Sequence, residues 1–174
     1  IDDGFYYDFE VAEPFTPEDV AAFEAEMRKV VQEKLAFERA EVSRADALQV
    51  FADDPLKLER IGDLGEGEVI STYRDGDFTD LCRGPHVQDT SWLKHFKLLN
   101  TAAAYWRGDS NRQTLQRIYA TAFFRKDELD AHLHRIEEAK KRDHRLLGKQ
   151  LDLVMLHPVS PGAAFWSPRG TQLY

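Results

Sequence analysis

Two long runs of strand-forming residues, 96–106 and 114–124, are separated by a short polar loop at 107–111. Runs of this length with a connection that contains Gly and Asn are typical of an antiparallel hairpin. A second pair of runs extends from Glu68 to Cys82 and alternates around Asp75-Gly76, a favoured two-residue hairpin turn. Sheets built from these strands must bury an apolar face, so other segments of the chain have to cover them.

Two helices are predicted to supply that cover. Thr16-Pro17-Glu18-Asp19 combines an N-cap, a proline at the first helical position and an acid at the third, which favours a helix through about Lys34. A second helix is predicted to begin after Ser43, in a capping box, and its pattern is broken by Pro55. With a short strand at 37–42, these elements predict an α+β sandwich, an antiparallel sheet packed with helices. The apolar stripe of the first helix consists of Val20, Phe23, Met27, Val30 and Val31.

The pattern changes after residue 125. Residues 126–150 predict one long charged helix with a thin apolar stripe, of the kind that often connects domains. The composition shifts again after this helix, which indicates the start of another structural unit.

Composition restricts the class of protein. With 43% hydrophobic and 31% charged residues among 174, the chain can bury a core and keep a solvated surface. Cys82 is the single cysteine, so an intrachain disulfide is excluded. No stretch resembles a signal peptide or a run of about 18 apolar residues. These features predict a soluble, cytoplasmic protein.

The formal net charge of −8 is distributed unevenly along the chain. Residues 92–126 hold seven basic residues and one acidic residue, with Tyr105, Trp106 and Tyr119 interleaved. Such a segment can meet phosphates and stack bases, and it can equally be an exposed sheet face with ordinary basic residues. Its candidate nucleic-acid contacts are Arg107, Arg112 and Arg117.

Reactive and titratable side chains are most closely grouped at residues 79–86, Thr-Asp-Leu-Cys-Arg-Gly-Pro-His. Cys82 and His86 are four residues apart with Gly-Pro between them, so a turn can aim both groups at one point. Asp80 is two residues before Cys82, on the same face if that part is extended. These three side chains fit three kinds of chemistry: half of a metal site, a Cys–His nucleophile pair, or a polar pocket that positions a water. Packing is the structural alternative, and no other cysteine completes a four-ligand site.

Several long motifs resemble one known family. Residues 1–8, 80–87, 96–109 and 115–123 closely resemble the N-terminal editing domain of bacterial-type threonyl-tRNA synthetase. Residues 140–144, 147–153 and 161–170 resemble the linker helix and the beginning of the class II catalytic core of the same enzymes. The related editing domain of alanyl-tRNA synthetase shares the Cys–His element but not the linker motifs.

This resemblance implies a domain organisation and a function. Residues 1–125 would be part of the editing domain, 126–150 the linker helix and 151–174 the beginning of the catalytic domain. The parent enzyme would attach threonine to tRNA(Thr) with ATP, and this region would help to hydrolyse mischarged seryl-tRNA(Thr). Losing one methyl group is worth only about 1–3 kcal/mol, so a threonine site needs such a second, hydrolytic site to discriminate against serine.

The resemblance also implies roles for individual residues. Lys57 and His86 would position the ester and the attacking water, Asp80 would read the amine or hydroxyl of serine, and Cys82 would be a pocket wall or polar partner. Tyr6 matches an aromatic position that lines the family's site, with Tyr7 on the opposite strand face as the alternative register. The expected substrate-binding residues are thus Tyr6, Tyr7 and Arg83, and the expected tRNA contacts are Arg107, Arg112 and Arg117.

Partners and cofactors follow in the same way. The acceptor end of tRNA(Thr) and a serine or threonine ester are the expected ligands, the parent enzyme is expected to be a homodimer, and no membrane partner is expected. No metal site or cofactor is expected in this chain, whereas ATP, Mg²⁺ and Zn²⁺ would bind the parent's catalytic domain. The family's editing site also uses an H-x-x-x-H pair from a helix preceding the position of Ile1, and the sequence lacks it. As a separate molecule the chain is therefore expected neither to aminoacylate nor to edit efficiently.

Two alternatives stay open from the sequence. The chain could be a non-catalytic tRNA-binding or structural module in which Cys82 and His86 are packing residues. It could also be an editing domain of the alanyl-tRNA synthetase type.

Overall fold

A computed structural model describes residues 4–159 and 163–172. The chain divides into two compact units, Ile1–Phe124 and Arg125–Tyr174. The first three residues of the motif at 1–8, and residues 161 and 162 of the motif at 161–170, lie outside the described residues.

The first unit contains three α-helices and two antiparallel sheets among its described residues. One sheet has the strand order β1-β6-β5 and the other has the order β2-β3-β4. In chain order the elements are β1 (Phe5–Phe9), α1 (Pro17–Glu33), β2 (Glu38–Val42), α2 (Arg44–Val50), α3 (Pro55–Asp63), β3 (Ile70–Asp75), β4 (Phe78–Leu81), β5 (His95–Tyr105) and β6 (Thr114–Phe123).

Both predicted hairpins are confirmed as antiparallel strand pairs, β3 with β4 and β5 with β6. In the first hairpin Asp75 pairs with Phe78, so the two loop residues are Gly76 and Asp77 and the turn lies one residue later than predicted. Gly76 has a φ of 59°, a left-handed conformation that glycine adopts without steric cost and that fixes this position of the turn. This register places Asp80 opposite Tyr73.

The stripe on α1 packs on the first sheet, as its spacing predicts. Val20 and Met27 lie against a buried cluster of Leu98, Ile118 and Ala120. Thr16 is the N-cap, as predicted, and it forms a capping box with Asp19, its hydroxyl accepting from the Asp19 backbone N–H at 3.2 Å.

The second sheet is covered by α2 and α3, whose Ala47 and Ile61 are fully buried beside Phe51 and Ile70. Burying a side chain such as Ile61 stabilises the fold by about 1.5–3 kcal/mol. The sequence interpretation treated Pro55 only as a helix breaker and missed α3. Pro55 is instead the first residue of this helix, where its missing N–H is not needed.

The second unit begins with two helices where one was predicted. Residues 126–150 divide into α4 (Lys126–Lys141) and α5 (His144–Gln150). Asp143 separates them because its carboxylate accepts the Arg145 backbone N–H at 2.7 Å and so caps a new helix. A short antiparallel pair follows, β7 (Val154–Leu156) with β8 (Ala164–Trp166).

Candidate functional site

Asp80, at the end of β4, is the centre of a group of polar side chains in the first unit. Its Oδ1 lies 3.0 Å from the Lys57 ammonium, and its Oδ2 accepts a hydrogen bond of 2.6 Å from the Tyr7 hydroxyl. The side chains of Lys57 and Asp80 are about one-fifth exposed, at 22% and 21%. An ion pair that is partly shielded from water keeps a defined geometry better than an exposed one.

Three separate elements bring these groups together. Tyr7 comes from β1 of the first sheet, Asp80 from β4 of the second sheet, and Lys57 from the first turn of α3. Asp54 caps that turn, since its Oδ1 accepts the backbone N–H groups of Leu56 and Lys57 at 3.1 and 3.0 Å. The other carboxylate oxygen of Asp54 lies 3.6 Å from the Lys57 ammonium, which is thus held between two acids.

Tyr7, and not Tyr6, contacts Asp80. The Tyr6 ring instead lies under the guanidinium of Arg117, with the ring centroid 3.8 Å from Cζ, and 6.2 Å from the ring of Tyr119. Successive side chains of a strand leave opposite faces, which explains why neighbouring tyrosines have different partners.

The Tyr7 hydroxyl is a permanent donor at neutral pH. Burial raises its pKa above the ordinary value of 10.0, and the hydrogen bond to Asp80 and the negative charges of Asp80 and Asp54 raise the pKa further. The phenol therefore stays protonated and orients the Asp80 carboxylate.

A cleft of about 540 Å³ lies beside this group, between β1, α3 and the end of β4. This volume is within the usual range for sites that bind small ligands. Trp106 and the two tyrosines contribute aromatic surface, and Lys57 and Arg60 contribute positive charge. Five acids also line it and favour a ligand that carries a positive group: Asp8, Glu10, Asp53, Asp54 and Asp80.

Cys82 and His86 form a second polar group, just after β4. The Cys82 Sγ lies 3.1 Å from Nε2 of His86 and accepts the Gly84 backbone N–H at 3.3 Å. The turn thus aims both groups at one point, as the Gly-Pro spacing predicts. Among the described residues that line the 540 Å³ cleft, neither Cys82 nor His86 occurs.

Aromatic rings fix the orientation of His86. Its imidazole stacks on the ring of Tyr73 at a centroid distance of 3.9 Å and an angle of 13°, and it meets the edge of Phe37 at 5.0 Å. Gly84 allows the close approach of this turn, since it has a φ of 72° and a Cβ there would overlap the Tyr73 hydroxyl.

The arginines expected to contact substrate or tRNA have other partners. Arg83 is 86% exposed and lies 3.9 Å from a carboxylate oxygen of Glu68. Arg117 makes two hydrogen bonds, of 2.7 and 2.8 Å, to the carboxylate of Asp8. Arg107 and Arg112 both bind Glu59, with closest distances of 2.9 and 2.5 Å. The basic segment is therefore largely neutralised by acids from elsewhere in the chain.

Sequence reasoning missed Glu59. The only available signal was the acidic excess of residues 43–91, with eleven acidic and five basic residues, which complements the basic excess of residues 92–126. That excess does not indicate which acid pairs with which arginine.

Within 4–159 and 163–172, no group of three His, Cys, Asp or Glu side chains is placed so that it could hold a metal ion. In the same ranges no helix has the length and apolarity needed to cross a membrane.

Comparisons with known proteins identify similar sequences. A model of the family described as "Threonyl and Alanyl tRNA synthetase second additional domain" matches residues 70–119, which include Asp80, Cys82 and His86. Threonine--tRNA ligase of Geobacillus sp. (strain WCH70) is 53% identical over 176 residues, covering 99% of this chain and 27% of the relative. The ligase of the same name from Clostridium botulinum (strain Hall) is 55% identical over 98% of the chain and 27% of its own length. That from Laribacter hongkongensis is 51% identical over 100% of the chain and 28% of its own length. The chain thus spans about a quarter of the length of these relatives.

Proposed function

We propose that the chain is part of a threonyl-tRNA synthetase, since it is 51–55% identical to the relatives named above, and that its first unit contributes to the hydrolysis of seryl-tRNA(Thr). The parent protein would be a threonine--tRNA ligase, a cytoplasmic homodimer that uses ATP, Mg²⁺ and Zn²⁺ in a catalytic domain outside the first unit. The observation that carries the proposal is the contact of Asp80 with both Lys57 and Tyr7 at the wall of the cleft.

The reaction is the addition of water to the ester carbonyl carbon followed by cleavage of the bond to the ribose oxygen. The products are serine and a free hydroxyl on the terminal ribose of the tRNA. Negative charge develops on the carbonyl oxygen, and a fixed ammonium such as that of Lys57 stabilises it. Lys57 is suited to this role because Asp54 and Asp80 keep its ammonium in place.

Asp80 is the group that would read the amino acid. An aminoacyl ester carries a free ammonium, and serine adds a hydroxyl, both of which donate hydrogen bonds to a carboxylate. The acidic lining of the cleft supports this role, since the ligand would bring positive charge next to those acids.

His86 and Cys82 do not line the cleft, and their proposed role follows from the resemblance. The imidazole is held by Tyr73 and Phe37, so it can position the attacking water in one orientation. The Cys82 sulfur contacts His86 and accepts the Gly84 N–H, which suits a polar partner of the imidazole better than a nucleophile.

The acceptor end of tRNA(Thr) is the proposed partner. Because the guanidinium groups of Arg107, Arg112 and Arg117 are engaged by carboxylates, they are poorly placed to be its main phosphate contacts. Arg83, at 86% exposure, is better placed to meet the ligand.

Deacylation of mischarged seryl-tRNA(Thr) by this chain and by a form extended N-terminally with the residues its gene encodes there tests the proposal. We expect hydrolysis by the extended form, with slower hydrolysis or none by the chain alone. If neither form hydrolyses the ester while both bind tRNA, the non-catalytic tRNA-binding reading replaces the proposal. Threonyl-tRNA(Thr) is the control substrate and should be hydrolysed far more slowly.

A further inference from the structure

The carboxylate of Glu59, on α3, accepts an unusually complete set of hydrogen bonds. Arg112 donates from both terminal nitrogens at 2.8 and 2.5 Å, and Trp106 donates its ring N–H at 3.2 Å. The Nε of Arg107 lies 2.9 Å from the same carboxylate, and Arg107 also binds Asp63 one turn further along α3. Two guanidinium groups and an indole thus converge on one acid.

All these donors come from the loop that joins β5 to β6. The loop is organised by its own hydrogen bonds, since Trp106 N–H donates to the Gln113 carbonyl at 3.1 Å and Arg112 N–H to the Asp109 carbonyl at 3.0 Å. Arg107 has a φ of 56°, a conformation that turns the chain sharply between the two strands. The donors are therefore presented from a folded loop.

The pKa of Glu59 is lowered to about 2, mainly by the hydrogen bond from Arg112, against the opposing effect of desolvation. The carboxylate is therefore ionised throughout the pH range in which such a protein works. Bidentate, charge-assisted contacts of this kind define geometry as well as contribute energy.

We call Glu59 and its three donors, Trp106, Arg107 and Arg112, the clamp. Its acid, Glu59, lies two residues after Lys57 on α3, a helix of nine residues. A helix this short is not stable by itself, so its position depends on its tertiary contacts. Ile61 anchors α3 in the core, Asp54 caps its start, and Glu59 and Asp63 tie its outer face to the loop.

We propose that Glu59, held by Arg107, Arg112 and Trp106, is a positioning residue that fixes α3 so that the Lys57 ammonium reaches Asp80. Arg107 and Arg112, which the sequence suggests as tRNA contacts, would thus act indirectly, by holding the helix that carries Lys57. The consequence for hydrolysis rests on the proposed function, whereas the positioning of Lys57 does not.

The accessibility of Lys57 tests the positioning directly in the full chain. Brief acetylation with acetic anhydride, read out by mass spectrometry, gives the reactivity of Lys57 relative to Lys29, a 66% exposed lysine on α1. We expect Glu59→Gln and Arg112→Gln each to raise this ratio several-fold, because Lys57 spends time away from Asp80. Glu38→Gln is the matched control, since Glu38 pairs with Arg74 at 2.7 Å far from α3 in sequence and on another element.

The acetylation of Lys97 distinguishes local release of Lys57 from a general loss of structure. Lys97 lies near the start of β5, at the end of that strand away from the loop, and pairs with Glu24 of α1 at 3.0 Å. Unchanged reactivity at Lys97 with increased reactivity at Lys57 supports the proposal. Equal increases at both lysines, or unchanged Lys57 reactivity in the folded variants, overturn it. If Glu59→Gln does not fold, Arg112→Lys replaces it in the test. This variant keeps the positive charge but cannot donate two parallel hydrogen bonds, so we expect an intermediate increase in the Lys57 reactivity.

Hydrolysis gives an independent second readout. In the form that hydrolyses seryl-tRNA, Glu59→Gln should lower kcat by roughly 10- to 100-fold with little change in KM, as expected for a misplaced catalytic group. If the wild-type protein hydrolyses nothing, the proposed function fails, while the acetylation ratios still decide whether Glu59 positions Lys57.

Discussion

The Tyr7 hydroxyl lies 2.6 Å from Oδ2 of Asp80, although the two residues are 73 positions apart and belong to different sheets. The same carboxylate uses its other oxygen to bind Lys57. Asp80 is therefore the point at which β1, α3 and β4 are tied together.

Tyr7→Phe is expected to weaken both the site and the fold. The substitution removes one hydrogen bond to a charged acceptor, worth about 1.5–3 kcal/mol of unfolding free energy, and leaves Asp80 held by Lys57 alone. Chemical denaturation measures the first effect, and the rate of seryl-tRNA hydrolysis measures the second.

Tyr6→Phe is the matched control on the neighbouring position. It keeps the ring under Arg117 and should change neither quantity by much. Larger effects for Tyr6→Phe than for Tyr7→Phe would contradict the register of β1.

The stability of the chain is expected to depend on Glu59 in acid. Its pKa in the folded state is about 2, below the ordinary value of 4.5, so its stabilising contribution is complete above pH 4.5 and is lost as pH falls towards 2. Glu59→Gln should therefore be less stable than the wild type at pH 6, and the difference should shrink between pH 4.5 and 2. Urea denaturation across this range measures the difference.

Arg112→Gln provides the cross-check for this pH dependence. Because the hydrogen bond from Arg112 is the main cause of the lowered pKa, its removal should also reduce the acid-dependent loss of stability. A constant difference between Glu59→Gln and the wild type from pH 6 to 2 would show that the clamp does not hold a charged Glu59.

Gly84→Ala should disturb the Cys82–His86 pair. The backbone there has a φ of 72°, and the added methyl would overlap the Tyr73 hydroxyl, so strain and displacement of the ring that supports His86 are both expected. We expect a loss of about 1–3 kcal/mol in unfolding free energy. Gly67→Ala is the control, since Gly67 has a φ of 82° but nothing near its added Cβ, and it should cost less. Equal costs would rule out the overlap as the cause.

Arg117→Gln should act on stability. Its guanidinium binds Asp8 with side chains that are 23% and 19% exposed, so removing it leaves a shielded carboxylate without its cation. We expect a loss of about 1–3 kcal/mol in unfolding free energy. The alternative outcome is a variant that keeps its stability but binds tRNA with a slope of log K against log salt concentration reduced by about one. That result would show that Arg117 is a phosphate contact.

Local sequence patterns were sufficient for most of the fold. The hairpins at 70–81 and 95–123 and the capped helix α1 arise from interactions between near neighbours, which leave a periodic signal. Pro55 misled the interpretation because a proline both ends one helix and begins another, and the buried Ile61 gave too short a pattern to decide. Asp143 likewise divides the predicted linker helix through a single side-chain cap.

The site was predictable in part. Cys82 and His86 are four residues apart, so their contact follows from a local turn. The partners of Asp80 could not be chosen in this way, because Tyr7 and Lys57 reach it through strand register and helix packing over 73 and 23 positions. The strand register determines which of the two tyrosines, Tyr6 or Tyr7, contacts Asp80. The pairing of Arg107 and Arg112 with Glu59 depends on the same long-range packing.

The most direct test of the account is the single-turnover hydrolysis of seryl-tRNA(Thr) by the N-terminally extended protein and its Asp80→Asn variant. Asp77→Asn, an exposed position in the loop of the same hairpin, is the control. The amide has nearly the same shape but no negative charge, so we expect hydrolysis to fall by roughly 100-fold or more while the control keeps the wild-type rate. Hydrolysis at the wild-type rate by a folded Asp80→Asn protein would contradict the central role of Asp80.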